Sequence, residues 1–526
     1  MGEAMGCGGH VGKEKLAELE KDLKVIWHVL PKNSKGRIER RSLRHIVFRY
    51  FNQKSALLVR GYEPSRPTNT SNWGTDDILS QRVPAYVESV LESKHVHENG
   101  FSLEDAALMV ATVEQLIFDS EAALLEKVYG VQHKPTDRSL TALGLGQVLE
   151  EYMVHWLLGN DEESIRLVAN NRGLLKESIP HWDQVVSFVH GQIKALDFQR
   201  QHAPAKASRP GHNALAPRYS FEDAHHLVGG ITSWFSSFWD SECASMKASL
   251  VGMDSHRTGR VRLSQFYGTG LDADWRFGES ESYLRELGAL DETSAWFGTQ
   301  VIIPNYLQAA SNCIVSTPHY LVCCRNECEA LLGEIEAGVG KEMAGPAQIL
   351  SLLRNMTSQT DIDHDDPPYL GLSLMKQLEA IAEENGGQVP LHGRLFAQWL
   401  HYVFPRECPF PHKRGTAVSL TPSEYGENFI ASQDDMKQHA ASAEDTDELA
   451  PMDKDDLQWM SQWSPEEELA ADPTGSIPAS WNPRRFALGL LLLLAFGVVG
   501  AVGFGRKMMM TSDAALLPTH TKSHFV

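Results

Sequence analysis

The sequence predicts a mainly α protein built of helix–loop–helix modules, with an acidic flexible tether and one C-terminal transmembrane helix after them. Three observations lead there. Apolar residues recur at helical spacing through much of residues 14–415, interrupted by turns where a glycine is followed two residues later by an aliphatic residue. Residues 431–480 carry thirteen carboxylates against two lysines. Residues 486–505, FALGLLLLLAFGVVGAVGFG, run without a charge.

The 526 residues suffice for two or three domains, each with its own core. A formal charge of −20 argues against a nucleic-acid backbone binder, which gains from a basic surface. The opening residues 1–13 (MGEAMGCGGH in their first ten) lack the apolar run of a signal peptide and read as disordered. A first helical domain is expected over 14–198. It holds the turn LPKNSKGRIERR, in which Gly36 precedes Ile38.

An internal similarity points to duplication. FSLEDA at 101–106 precedes an apolar pattern ending IFDSEAAL, and YSFEDA at 219–224 precedes one ending FWDSECAS. Ser102 and Ser220 read as helix N-caps, with Asp105 and Asp223 as short capping-box acids. Between the copies, 144–198 is helical in pattern, and 199–217 (RQHAPAKASRPGHNALAPR) reads as a linker.

The second helical domain is expected over 218–415. It contains MDSHRTGRVRLSQFYG, with Gly259 before Val261, and ENGGQVPLHGRLFAQWLHYVF, with Gly387 before Val389. A long helical pattern at 317–337 and another at 371–384 lie between them. The glycines at 36, 259 and 387 are expected to take sharp turns.

These GRI, GRV and GQV turns resemble the EF-hand superfamily in a degenerate form. There the glycine turns the loop and the aliphatic residue pairs with a partner loop. The resemblance implies helix-loop-helix modules with a scaffold or protein-binding role. It does not supply a calcium site of ordinary strength. The best loop offers Asp254, His256, Thr258 and Gln265 at the ligand positions, among Arg257, Arg260 and Arg262. NYLQAASNCIVSTPHYLVCCRNECEALLGEIE and VPLHGRLFAQWLHYVFPRECPFPH also look like an uncharacterised group of protist or algal single-pass membrane proteins, which brings no mechanism.

Of seven cysteines, five fall between 313 and 408. On a helix Cys324 and Cys328 would share a face, with His319 a turn before Cys323. Cys324, Cys328, Cys408 and His412 form a candidate zinc set of soft and borderline ligands. Buried reduced thiols are the leading expectation, because disulfides require an oxidising compartment. A Cys408 nucleophile with His401 or His392 as base lacks a specified orienting group and oxyanion donors, so no catalytic residue is assigned.

The acidic tether is expected over 416–483, the transmembrane helix over 486–505 and a short tail over 506–526. Twenty apolar residues span roughly 30 Å, the hydrocarbon thickness of a bilayer. Basic pairs flank the run on both sides. With so short a tail the natural expectation is a tail-anchored protein whose body faces the cytosol. Gly497, Ala501 and Gly505 form a small-residue stripe that permits a homodimer through the membrane helix. Asn69-Thr-Ser and Asn355-Met-Thr match the glycosylation pattern, by chance if the body is cytosolic. The functional expectation is a scaffold or adaptor that binds a protein partner at the bilayer. A calcium- or zinc-responsive regulator and a thiol-dependent enzyme centred on 319–412 are the alternatives.

Overall fold

A computed structural model of the chain describes residues 12–62, 100–159, 161–179, 181–202, 217–273, 276–292, 298–356, 368–412 and 416–441. The expected membrane helix, its Gly497, Ala501 and Gly505 stripe, and the tether beyond residue 441 lie outside these. Among the described residues no helix is long and apolar enough to cross a membrane.

The described chain is mainly helical. In order it forms α1 (Lys13–Val29), α2 (Arg40–Ser55), β1 (Leu57–Val59), α3 (Leu103–Val131), β2 (Leu140–Thr141), α4 (Ala142–Leu158), α5 (Glu162–Asn170), α6 (Leu175–Ser178), α7 (Trp182–His202) and β3 (Arg218–Tyr219). Then come α8 (Phe221–Met253), β4 (Arg260–Arg262), α9 (Leu263–Leu271), α10 (Glu281–Glu286), β5 (Leu290–Asp291), β6 (Gln300–Ile302) and α11 (Ile303–Leu307). The rest is β7 (Val315–Ser316), β8 (Tyr320–Val322), α12 (Glu327–Val339), β9 (Met343–Ala344), α13 (Pro346–Leu353), α14 (Leu372–Glu384), β10 (Val389–Pro390), α15 (Arg394–Val403), α16 (Pro422–Tyr425) and α17 (Gln433–Ala441).

Four short antiparallel contacts organise this series. Ile38 bridges Phe101, Leu140 pairs with Tyr219, Val261 with Val301, and Ala344 with Val389. In every case the paired residues are apolar and buried. Each stands just before a helix, so a contact of one to three residues ties two helix starts together. The long helices serve two contacts each. α3, with 29 residues, leaves the first and enters the second; α8, with 33, leaves the second and enters the third.

The two FSLEDA-like copies occupy equivalent places. Phe101 and Tyr219 are the bridging residues, and Ser102 and Ser220 cap α3 and α8 with complete capping boxes. In both, the serine Oγ accepts the N–H three residues on at 3.2 Å. The aspartate carboxylate accepts the serine N–H at 2.8 Å.

Three expectations are corrected. The pattern at 317–337 is not one helix: β7 and β8 form a hairpin to which β1 adds, Leu57 opposite Val322, and α12 starts only at Glu327. Strand pairing cuts helicity there because β8 is buried along its whole length and has a partner on each edge. The linker expected at 199–217 does not separate two cores. Leu140 pairs with Tyr219, and one core cluster runs from Leu19 to Phe235 and takes in Val315, Tyr320 and Val322. Of the expected linker, residues 199–202 close α7.

The tether does not start at 416. Val418 N–H donates to Glu286 O at 2.8 Å, Ser280 N–H to Phe429 O at 2.8 Å, and Tyr283 Oη to Leu420 O at 2.6 Å. α17 packs on α9 and buries Met436. Its acidic residues face outward while one methionine supplies the apolar anchor, which net charge alone conceals.

Candidate functional site

The first candidate site is the turn from α8 to α9. Asp254 caps the end of α8 and is 3% exposed. Its Oδ1 accepts the Thr258 N–H at 2.9 Å, and its Oδ2 accepts the Gly259 N–H at 2.9 Å. Arg406 donates from Nε to the same Oδ2 at 3.0 Å and from Nη2 to the Asp254 carbonyl at 2.9 Å. The aspartate therefore holds the turn from inside, with a guanidinium where a cation would approach. His256 and Gln265 are exposed, apart from this buried carboxylate, and Thr258 is half-buried. The calcium-ligand set expected from Asp254, His256, Thr258 and Gln265 is not assembled. Among the described residues no group of three or more His, Cys, Asp or Glu is placed to hold a metal ion.

The turn glycines do have left-handed backbones: φ is +71° at Gly36, +71° at Gly259 and +89° at Gly387. Their surroundings differ. Gly36 and Gly387 face open space, whereas a Cβ on Gly259 would overlap the Pro405 carbonyl.

The second candidate site, the cysteine cluster, is three disulfides: Cys243–Cys324, Cys313–Cys323 and Cys328–Cys408. The zinc set of Cys324, Cys328, Cys408 and His412 is thereby overturned, because its three sulfurs sit in two different bonds and none is a thiolate. The expectation of reduced thiols falls with it. His412 donates instead to the Gly288 carbonyl at 2.6 Å. Cys313–Cys323 closes the β7–β8 hairpin, Cys243–Cys324 ties α8 to the segment just after β8, and Cys328–Cys408 ties α12 to the turn after α15.

The histidines proposed as bases are committed elsewhere. His401 Nδ1 donates to the Cys408 backbone carbonyl at 2.7 Å, which leaves Nε2 as the acceptor for Arg260 Nη1 at 3.1 Å. Burial, then the Arg260 charge, push its pKa down to about 3, so the ring is neutral. His392 Nε2 lies 2.8 Å from Glu336 Oε1. A cavity of about 270 Å³ opens beside Cys243–Cys324, walled in part by Lys247, Arg325, Arg406 and Glu407. Its charges are paired: Lys247 Nζ with Glu327 at 2.5 Å and Glu407 at 3.1 Å and Arg325 with Asp240 at 3.5 Å within the wall, and Arg406 with Asp254 behind it. This wall offers a nucleophilic mechanism neither a free thiol nor an uncommitted base.

Sequence reasoning named a turn in three of the four contacts, at Gly36, Gly259 and Gly387, but assigned none of the pairings. The turn 340–344 pairs β9 with β10, and the stretch 132–141 leads into β2. The signal for the second was present in the aromatic residue before each capping serine, since Phe101 and Tyr219 are both bridging residues. The buried charge cluster around Arg49 was also missed, because its members are far apart in sequence, Arg49 and Glu336 alone by 287 residues.

No family model, no curated protein and no solved structure matches this chain.

Proposed function

We propose that the chain is a membrane-tethered helical scaffold or adaptor whose paired modules are EF-hand-like in form, take no calcium, and bind a protein partner. The observation that carries this reading is the buried Asp254, which stands at the first ligand position and is occupied by Thr258, Gly259 and Arg406. A turn closed in this way keeps the geometry that pairs two helix starts and gives up the ion. The apolar run at 486–505 supports the tether.

The three disulfides favour a body held on an oxidising side of that membrane, since such bonds persist only where glutathione and thioredoxin do not reduce them. This reverses the cytosolic placement expected from the sequence. It also weakens the thiol-enzyme alternative, whose nucleophile Cys408 is bonded to Cys328.

The test is a calcium titration of the purified full chain in detergent, by calorimetry, with affinity purification from its native membranes alongside. The expected result is no saturable heat and a stoichiometric protein companion. Saturable binding would make the modules sensors. A chain that leaves its membranes without a companion would remove the adaptor role.

A further inference from the structure

A buried ionic cluster joins the first helical module to the last. Arg49 of α2 reaches into α12, Nε to Glu329 Oε2 at 2.8 Å and Nη1 to Glu336 Oε1 at 2.5 Å. Its Nη2 donates to the Glu329 carbonyl at 3.1 Å, as does Gln53 Nε2 at 3.1 Å. His392, in the turn after β10, sits on Glu336 with its side chain 2% exposed. One turn before Arg49 on α2 stands His45, its ring edge-on to His392 with centroids 5.6 Å apart. His45 Nε2 and His392 Nδ1 are both out of solvent and without a hydrogen-bond partner. The neighbouring Arg44 points away, to the Gly61 carbonyl.

We propose that His45 makes the seam between α2 and α12 an acid-sensitive clasp, closed while the imidazole is neutral and opened when it takes a proton. A proton on Nε2 would sit in the seam with no acceptor, beside the Arg49 guanidinium and the second imidazole. Burial, then His392, then Arg49 hold the ring's pKa down to about 3, against the pull of Glu336. In the opened seam the ring regains its ordinary value near 6.5. The closed form is therefore unaffected above that value and is disfavoured as pH falls from 6.5 towards 3, by roughly 30-fold in the opening constant at pH 5. Glu336 does not titrate in this window. Burial pushes its carboxyl up, but the His392 hydrogen bond and Arg49 outweigh that and hold it at about 2. Burial raises the Glu329 carboxyl and gives the opposite slope, so the histidine must be isolated by substitution.

The experiment is hydrogen exchange with mass spectrometry on the full chain in detergent, at pH 7.5 and pH 5, for wild type and His45→Gln. Rates are corrected for intrinsic exchange. The opening constant of α12 in wild type, divided by that in the variant, is expected to rise roughly 30-fold between the two pH values. Protection of α4, away from the seam, is expected to change equally in both proteins. A ratio that stays within about 3-fold overturns the clasp, and so does an equal rise in α4, which would mean global unfolding. If Gln alone unseats α12 at pH 7.5, the same ratio is read with His45→Leu.

Discussion

At the scale of single residues, local environment decides what a shared motif costs to change. Gly36 and Gly259 have the same φ of +71°, but only Gly259 abuts the Pro405 carbonyl. A valine at Gly36 meets left-handed strain of about 1–3 kcal/mol. At Gly259 it meets that strain and a backbone overlap that the buried Asp254–Arg406 pair keeps from relaxing. Gly259→Val is therefore expected to be the more damaging by at least ~2 kcal/mol, read from denaturant or thermal melts of the two variants; equal losses would refute the argument. Glu121 supplies a second case. It is 3% exposed and accepts from Tyr320 Oη at 3.2 Å, and burial pushes its carboxyl up to about 7. A carboxyl raised in the folded state favours folding below its ordinary value near 4.5, and that advantage is lost as pH rises through 7. The swing is about 3 kcal/mol. Glu121→Gln should remove it, so the stability difference between wild type and variant should change by that amount between pH 4.5 and 8. A difference independent of pH would show that Glu121 is solvated.

At the scale of elements, what was legible were features fixed by neighbours in the chain. The serine–aspartate capping boxes, the glycine turns and the pattern at 371–384 are local, and α14 (Leu372–Glu384) matches the last almost residue for residue. The unread elements are those decided across the chain. Tyr320–Val322 is a short apolar run that periodicity cannot assign, and it becomes a strand because Leu57–Val59 lies along it. The cap repeat gives a quantitative expectation. Both boxes have the same distances, so Ser102→Ala and Ser220→Ala should each cost about 1 kcal/mol. The caps are 118 positions apart and start different helices, so the double variant should lose about the sum. Chemical denaturation measures all three. A strongly non-additive double variant would mean that the two copies share a packing contact.

At the scale of the whole molecule, the cysteines link parts that the sequence leaves unconnected. The six cysteines after Cys7 allow fifteen pairings, and no spacing rule chooses among them; only the expected cytosolic placement of the body set disulfides behind reduced thiols or a zinc set. The chain resolves the choice by bringing Cys243 to Cys324 and Cys328 to Cys408 across separations of 81 and 80 residues. Loops of that length give each bond about 4–5 kcal/mol in the chain-entropy account. Both bonds secure the half of the molecule that surrounds the Asp254 turn: one holds the end of α8, the other holds the segment that carries Arg406. Reduction and chelation therefore make opposite predictions for the two sulfur chemistries. A reductant in the presence of guanidinium, followed by alkylation, is expected to lower the melting temperature by ten degrees or more, while EDTA leaves it unchanged. Maleimide labelling of the untreated chain after acid quench should leave Cys243, Cys313, Cys323, Cys324, Cys328 and Cys408 unmodified. Labelling of all six before reduction would refute the disulfides and, with them, the placement of the body on an oxidising side.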